Sequence, residues 1–242
     1  MINQNLPSRR SFFRTACCST LGVAGSFSLA SAHAADAKKT SLTADQALAK
    51  LKKGNADFLQ DRPSVAADQR HLRRLEIARS QAPFAVLVGC SDSRVPPEDL
   101  FGAGLGELFI VRNAGNTVDT TAMGSIQYGV LVLGAPLIVV LGHERCGAVD
   151  AALQVVQKNA TFPGSIGQMI EPIIPAVLRA VSSSGKKGDE LLDAAVHENV
   201  RRTVERLRTS EPSLIEPLRS GALKVVGARY DLDDGTVDFF MV

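Results

Sequence analysis

Residues 84–89, Phe-Ala-Val-Leu-Val-Gly, form an uninterrupted apolar run that ends at Cys90. A short run without polar alternation is typical of a strand that is buried on both faces, as strands in parallel sheets are. The same signature returns at 107–111, 137–141 and 223–227. We therefore predict four strands of this kind at the centre of the fold.

Helical periodicity separates these strands. The helical patterns lie at 119–133, 146–158, 165–182 and 191–209. Because strands alternate with helices, the sequence predicts an α/β fold with a mostly parallel four-stranded sheet flanked by helices. An N-terminal helical arm is predicted over 43–61 and a second helix over 68–80. After an Asp-Asp-Gly turn, residues 236–242 predict an antiparallel edge strand.

The first 34 residues differ from the rest of the chain. Ser-Arg-Arg-Ser-Phe-Phe at 8–13 precedes an uncharged run of small and apolar residues over 15–32. This pattern is typical of an export signal, and the paired arginines resemble the twin-arginine address. We predict that residues 1–34 are cleaved near Ala34, that 35–242 form a single domain, and that the mature protein is periplasmic or otherwise exported.

Composition excludes several classes of partner. The chain has 242 residues, 45% of them hydrophobic, and a formal net charge of +2. Cleavage removes Arg9, Arg10 and Arg14 and no acidic residue, so the mature charge becomes −1. This is too little positive charge to suggest a nucleic-acid partner. The apolar runs fall short of the roughly 20 residues of a spanning helix, so no permanent membrane anchor is expected.

Two cysteines and a histidine predict a metal site. Cys17 and Cys18 leave with the signal, so the mature chain keeps Cys90 and Cys146. Cys90 follows the first strand and His143 the third, so both should emerge at the carboxyl edge of the sheet. Cys146, three residues after His143, begins the next helix, where the positive helix end favours a thiolate.

Two sulfurs and one imidazole suit zinc, and three protein ligands leave a fourth position for water, as in catalytic sites. On these residues alone, a redox couple or plain buried cysteines remain alternatives.

Asp92 and Arg94 lie close to Cys90 in the sequence. An extended backbone over 90–94 would aim Cys90, Asp92 and Arg94 at the same side, which would place a carboxylate and its cation beside the metal. A surface salt bridge is the alternative interpretation.

Cys-Ser-Asp-Ser-Arg-Val-Pro at 90–96 together with His-Glu-Arg-Cys-Gly-Ala at 143–148 resembles the β-class carbonic anhydrases. The resemblance runs from about residue 42 to the C-terminus and includes 106–109 and 112–116. It implies reversible hydration of carbon dioxide to bicarbonate and a proton by attack of zinc-bound hydroxide. One Zn²⁺ per subunit would be bound by Cys90, His143 and Cys146. Asp92 would accept a hydrogen bond from the nucleophile, with Arg94 holding that carboxylate in place.

The same resemblance implies a substrate site and an oligomer. Gln81 would hydrogen-bond the substrate across a subunit interface of a homodimer or homotetramer. Phe109, Tyr128 and Ala114 would line the pocket for carbon dioxide, and the Gly147 N–H would contact bicarbonate, since glycine permits a close approach.

Three alternative functions stay open on the sequence. The first is a hydrolase of carbonyl sulfide or carbon disulfide on the same zinc site, because both molecules are linear and apolar like carbon dioxide. The second is a non-catalytic, zinc-stabilised binding protein, and the third is a redox protein that uses the two cysteines.

Overall fold

A single five-stranded sheet forms the centre of the protein, in the strand order β2-β1-β3-β4-β5. The computed structural model describes residues 39–62 and 70–242. The strands are β1 (Ala85–Gly89), β2 (Leu108–Arg112), β3 (Leu137–His143), β4 (Lys224–Tyr230) and β5 (Val237–Met241). The predicted export signal at 1–34 lies outside the described residues.

Four strands are parallel and the fifth is not. β1 pairs in parallel with both β2 and β3, β3 pairs in parallel with β4, and β5 runs antiparallel to β4. The predicted α/β class, the four parallel strands and the antiparallel edge strand are therefore confirmed. The continuous apolar signature has its expected cause, because every residue of β1 and β3 is buried.

Helices cover the sheet on both sides. The helices are α1 (Ala44–Phe58), α2 (Arg70–Glu76), α3 (Pro97–Leu100), α4 (Thr120–Gln127), α5 (Gly147–Lys158), α6 (Ser165–Ile170), α7 (Ile174–Ser183), α8 (Gly188–Thr209) and α9 (Pro212–Arg219). Within the described residues, no helix is long and apolar enough to cross a membrane.

The side chains of β1 alternate between the two faces of the sheet. Ala85 and Leu87 share one apolar cluster with Leu51 of α1. Val86 and Val88 share the opposite cluster with residues of α4, α8 and α9. The N-terminal helical arm predicted from the sequence is therefore packed on the sheet of its own chain. Its start is fixed by a capping box between Thr43 and Gln46.

Several helices differ from their predicted bounds. The pattern at 119–133 is an α-helix only to Gln127 and continues as a π-helical turn over Tyr128–Val132. The pattern at 165–182 divides into α6, a 3-10 turn over Glu171–Ile173, and α7, because Pro172 and Pro175 have no N–H to continue a helix. The helix predicted over 68–80 ends earlier than predicted, at Glu76, and the first two positions of the prediction lie outside the described residues.

Candidate metal centre

Cys90, His143 and Cys146 converge at the carboxyl edge of the sheet. Cys90 directly follows β1, His143 is the last residue of β3, and Cys146 is the N-cap of α5. One potential ligand atom of each residue lies within 4.8 Å of the other two, and all three residues are buried. The parallel pairing of β1 with β3 is what brings them together, because it aligns the two strand ends.

The ring of His143 directs one of its nitrogens toward the two thiols. Among the described residues this nitrogen has no hydrogen-bond partner. The ring Nδ1 lies 2.9 Å from the carbonyl oxygen of Glu144, which fixes Nδ1 as the donor and leaves Nε2 as the lone-pair nitrogen. This Nε2 is buried and makes no hydrogen bond with the described residues. A buried polar atom without a hydrogen-bond partner costs free energy, so we expect Nε2 to bind a cation.

The two thiols share one proton in the absence of a cation. The pKa of Cys90 falls to about 4, because its sulfur accepts hydrogen bonds from the Cys146 thiol and from the Gly115 N–H. The pKa of Cys146 is raised, because its proton is held between the two sulfurs and the site is buried. A divalent cation would displace that proton and bind both thiolates.

Asp92 and Arg94 form a bidentate ion pair next to these ligands. Arg94 Nε donates to Asp92 Oδ1 at 2.9 Å, and Arg94 Nη2 donates to Oδ2 at 2.8 Å. Asp92 Oδ2 lies 3.8 Å from His143 Nε2, the nitrogen without a partner. The hydrogen bonds from Arg94 lower the pKa of Asp92, so this carboxyl group stays ionised. The sequence left open whether Asp92 and Arg94 form a surface salt bridge or lie beside the metal. The structure places the pair beside the potential metal ligands.

Two further residues, neither of them predicted from the sequence to belong to the site, shape the loop around Cys90. Arg112, at the end of β2, donates to the carbonyl oxygens of Cys90 at 2.7 Å and Asp92 at 2.5 Å. The Gly115 N–H donates to Cys90 Sγ at 3.2 Å. Both residues belong to the 112–116 motif, so the motif was visible but the contacts, which involve backbone atoms, were not.

The turn between His143 and Cys146 is held by an ion pair. Arg145 has a φ of 50°, a left-handed conformation that costs a residue with a Cβ about 1–2 kcal/mol. Its guanidinium donates to both carboxylate oxygens of Asp233, at 2.6 and 3.0 Å. This pair supports the tight turn that lets two ligands three residues apart reach one point.

The donor set fits zinc. Zn²⁺ prefers thiolate and imidazole ligands at about 2.3 and 2.0 Å, so tetrahedral ligand atoms lie roughly 3.5–4 Å from one another. The spacing within 4.8 Å requires only a small contraction. A zinc ion would bind all three potential ligands, which are one nitrogen without a partner and two thiols that share a proton.

The comparisons with known proteins agree with this chemistry. A model of the carbonic anhydrase family matches residues 85–237. Carbonic anhydrase 2 of Mycobacterium tuberculosis is 41% identical over 185 residues, which cover 76% of this chain and 87% of that protein. A carbonic anhydrase of Mycolicibacterium smegmatis is 39% identical over 188 residues, which cover 78% of this chain and 89% of its own.

Solved structures specify the class. The Coccomyxa β-carbonic anhydrase in complex with acetazolamide is 30% identical, with a TM-score of 0.64 over 80% of this chain and 86% of that one. A tetrameric β-carbonic anhydrase of Sordaria macrospora is 26% identical, with a TM-score of 0.65 over 72% of this chain and 88% of its own.

This chain belongs to the β-carbonic anhydrases. Its cofactor is therefore zinc, and Cys90, His143 and Cys146 are the group that is positioned to bind it.

Two substrate-site residues predicted for this β-carbonic anhydrase lie next to the metal centre. Ala114 begins the 3-10 turn over Ala114–Asn116, whose Gly115 contacts Cys90. Gly147 is the first residue of α5 and directly follows Cys146. Gly147 is exposed, and a Cβ added to it would meet nothing within 4 Å outside the backbone of its own helix.

The other three predicted substrate residues lie away from the metal centre of their own chain. Phe109 and Tyr128 are together, with ring centroids 6.2 Å apart. Phe109 pairs with Val86, and Cys90 lies four residues beyond Val86, or roughly 13 Å along the strand. Gln81 is exposed and precedes the opposite end of β1. One β-carbonic anhydrase chain therefore does not bring these three to its own zinc ligands.

Proposed function

We propose that this β-carbonic anhydrase catalyses the reversible hydration of carbon dioxide to bicarbonate and a proton. The observation that carries this conclusion is the buried Cys90–His143–Cys146 group with the ionised Asp92 beside it. When bound there, zinc would supply a Lewis acid that lowers the pKa of a coordinated water. Because two thiolates cancel its charge, the effect is smaller than in a three-histidine site, and we expect the nucleophile to form at alkaline pH.

Asp92 orients the nucleophile. Because its carboxylate stays ionised, Oδ2 accepts a hydrogen bond and does not donate one. A nucleophile that donated a hydrogen bond to Oδ2 would have its lone pairs left free for the carbon of the substrate. Arg94 keeps the carboxylate both charged and fixed in direction through two parallel hydrogen bonds.

Gly147 stabilises the product side of the reaction. Its N–H belongs to the first turn of α5, where backbone N–H groups have no partner inside the helix. Because Gly147 is exposed and has no side chain, an oxygen of bicarbonate can approach this donor closely. The helix start also favours the negative charge of bicarbonate electrostatically.

A stopped-flow assay of carbon dioxide hydration tests this function. We expect hydration activity that disappears with a strong zinc chelator and returns when zinc is added. The relatives and structures reported above are named carbonic anhydrases, which favours carbon dioxide over carbonyl sulfide or carbon disulfide as the substrate. Faster turnover of either sulfur compound than of carbon dioxide would contradict the assignment.

The substrate site is completed by a second copy of the chain. Gln81, Phe109 and Tyr128 are too far along the sheet to serve the zinc ligands of their own chain, and Tyr128 is 48% exposed. β2, which carries Phe109, also lies at an edge of the sheet that the described residues form. A partner subunit that packs on this edge would cover Phe109 and Tyr128. These two residues would then lie next to the metal centre of the partner subunit.

Sedimentation of the purified protein measures this assembly. We expect the mass of a homodimer or homotetramer, and the activity per chain should fall when dilution produces monomers. A fully active monomer would contradict the shared site.

Export in the folded state accounts for the sequence before the catalytic region. Ser8-Arg9-Arg10-Ser11-Phe12-Phe13 resembles the address of the twin-arginine route, which is thought to carry folded proteins. Zinc loading before export would protect Cys90 and Cys146 from oxidation, because both sulfurs are then coordinated.

Replacing Arg9 and Arg10 together by lysine should therefore retain the activity in the cytoplasmic fraction of a bacterium that has this route. The control is Arg14→Lys, which leaves the arginine pair intact and should preserve the periplasmic activity. Equal distribution of the double variant and the wild type would contradict the twin-arginine assignment.

A further inference from the structure

The 3-10 turn over Ala114–Asn116 carries a backbone donor for the metal centre. Gly115 donates its N–H to Cys90 Sγ at 3.2 Å. Gly115 has a φ of 67° and Asn116 a φ of 46°, so two consecutive residues are left-handed. Glycine adopts this conformation without strain, whereas at Asn116 it persists only where the surrounding structure fixes it. The direction of the Gly115 N–H therefore depends on what holds this turn.

Packing excludes movement of the turn toward Ile173 and the first turn of α5. A Cβ on Gly115 would lie 2.6 Å from Ile173 Cδ1 and 3.1 Å from Ala148 Cβ, so these side chains are already against the backbone. This contact fixes the position of the turn but does not fix the rotation of its peptide groups, since apolar contacts have no directional preference.

Asn199 supplies the directional contact. Its Nδ2 donates to the carbonyl oxygen of Gly115 at 2.8 Å, across 84 residues of sequence. Asn199 belongs to α8 and is only 6% exposed. Val200 and Val204, on the same helix, are fully buried against the sheet. The amide of Asn199 is therefore held by a well-packed part of the core. A buried amide is costly unless it is hydrogen-bonded, and this contact satisfies it.

We propose that Asn199 is a positioning residue of the metal centre, which holds the Gly115 carbonyl so that the Gly115 N–H stays on the thiolate of Cys90. This inference rests on the proposed zinc site. The hydrogen bond stabilises the charged form of the sulfur and fixes its lone pairs, and a cation then meets a ligand that is already oriented. Asn199 touches neither the cation nor the substrate, and acts through the backbone of Gly115.

The test uses the full-length protein with Asn199→Ala and Asn199→Asp. Alanine removes the donor, and aspartate keeps the size of the side chain but presents an oxygen to the Gly115 carbonyl. The zinc dissociation constant, measured by competition with a chelator, should rise about tenfold, the lower end of the range for residues that support metal ligands. In the cobalt-substituted protein, the sulfur-to-cobalt charge-transfer absorption should move to longer wavelength, because the sulfur electrons lose the stabilisation of the hydrogen bond.

Asn55→Ala is the matched control. Asn55 is also 6% exposed, and it donates to the carbonyl oxygen of Gly235 at 3.0 Å and accepts from the N–H of Val237 at 2.9 Å. Its loss should lower the melting temperature and leave both the zinc affinity and the cobalt absorption at wild-type values. If Asn55→Ala changed the zinc affinity and the cobalt absorption as much as the Asn199 variants do, the changes would reflect a general loss of stability. The inference would then be overturned.

The outcomes separate this inference from the proposed zinc site. A wild-type protein without sulfur-to-cobalt absorption would refute the zinc site itself. A wild-type protein with this absorption, together with Asn199 variants that keep both the wild-type band position and the wild-type zinc affinity, would overturn the role of Asn199 alone. If Asn199→Ala does not fold, Asn199→Asp carries the same comparison.

Discussion

Replacing His143 by alanine is expected to abolish zinc binding and carbon dioxide hydration together. His143 is fully buried, and its Nε2 is the one ring nitrogen directed at Cys90 and Cys146. Metal activation is worth several kcal/mol in the transition state, and each ~1.4 kcal/mol is a factor of ten. Hydration should therefore fall by at least about 10³-fold. Zinc content by mass spectrometry and stopped-flow hydration measure the two losses on the same sample.

His71→Ala is the matched control for this variant. His71 lies on α2, is exposed, and contacts Arg74 within the same helix. It should keep one zinc per chain and wild-type activity. A His143→Ala protein that is folded, retains stoichiometric zinc and hydrates carbon dioxide would show that the cation is bound elsewhere.

Asp92→Asn is expected to lose activity while it keeps zinc. The amide has the size of the carboxylate but no charge, so Arg94 no longer fixes it through two charge-assisted hydrogen bonds. It can also turn its NH₂ group toward the nucleophile and donate where a hydrogen bond should be accepted. Groups that position or transfer a proton in the transition state contribute about 10²–10⁴-fold. We expect kcat to fall within that range.

The control is Asp57→Asn, because Asp57 also pairs with basic residues, Lys53 and Arg62, but lies at the surface of α1. This variant should keep both its zinc and its kcat. If Asp92→Asn lost its zinc, Asp92 would be a ligand. If its kcat stayed within about threefold of the wild type, well below the usual contribution of such a group, Asp92 would have no role in orienting the nucleophile.

The parts of the fold that the sequence revealed are those with a periodic or continuous pattern. β1 and β3 are buried on both faces, so their apolar runs have no polar interruption and their bounds were predicted within a few residues. The π-helical turn after Gln127 was not predicted, because the apolar residues continue through it and hydrophobicity does not record the hydrogen-bond pattern. α3 and α9 are too short to establish a helical period.

The metal ligands were visible for a different reason. Cys90, His143 and Cys146 are rare residue types at the ends of predicted strands or the start of a predicted helix, so topology alone brought them to one edge. The contacts of Gly115 and Asn199 could not be found in this way. One is made by a backbone N–H and the other joins residues that are 84 positions apart, and neither leaves a local pattern.

A crystal structure of the zinc-loaded protein at alkaline pH, with anomalous data recorded at the zinc edge, would show directly whether the three side chains bind one cation. We expect one zinc per chain, bonded to Cys90 Sγ, His143 Nε2 and Cys146 Sγ, with an oxygen that does not belong to the protein as the fourth ligand. A fourth ligand from the protein, or a Cys90–Cys146 disulfide in place of the ion, would contradict this expectation.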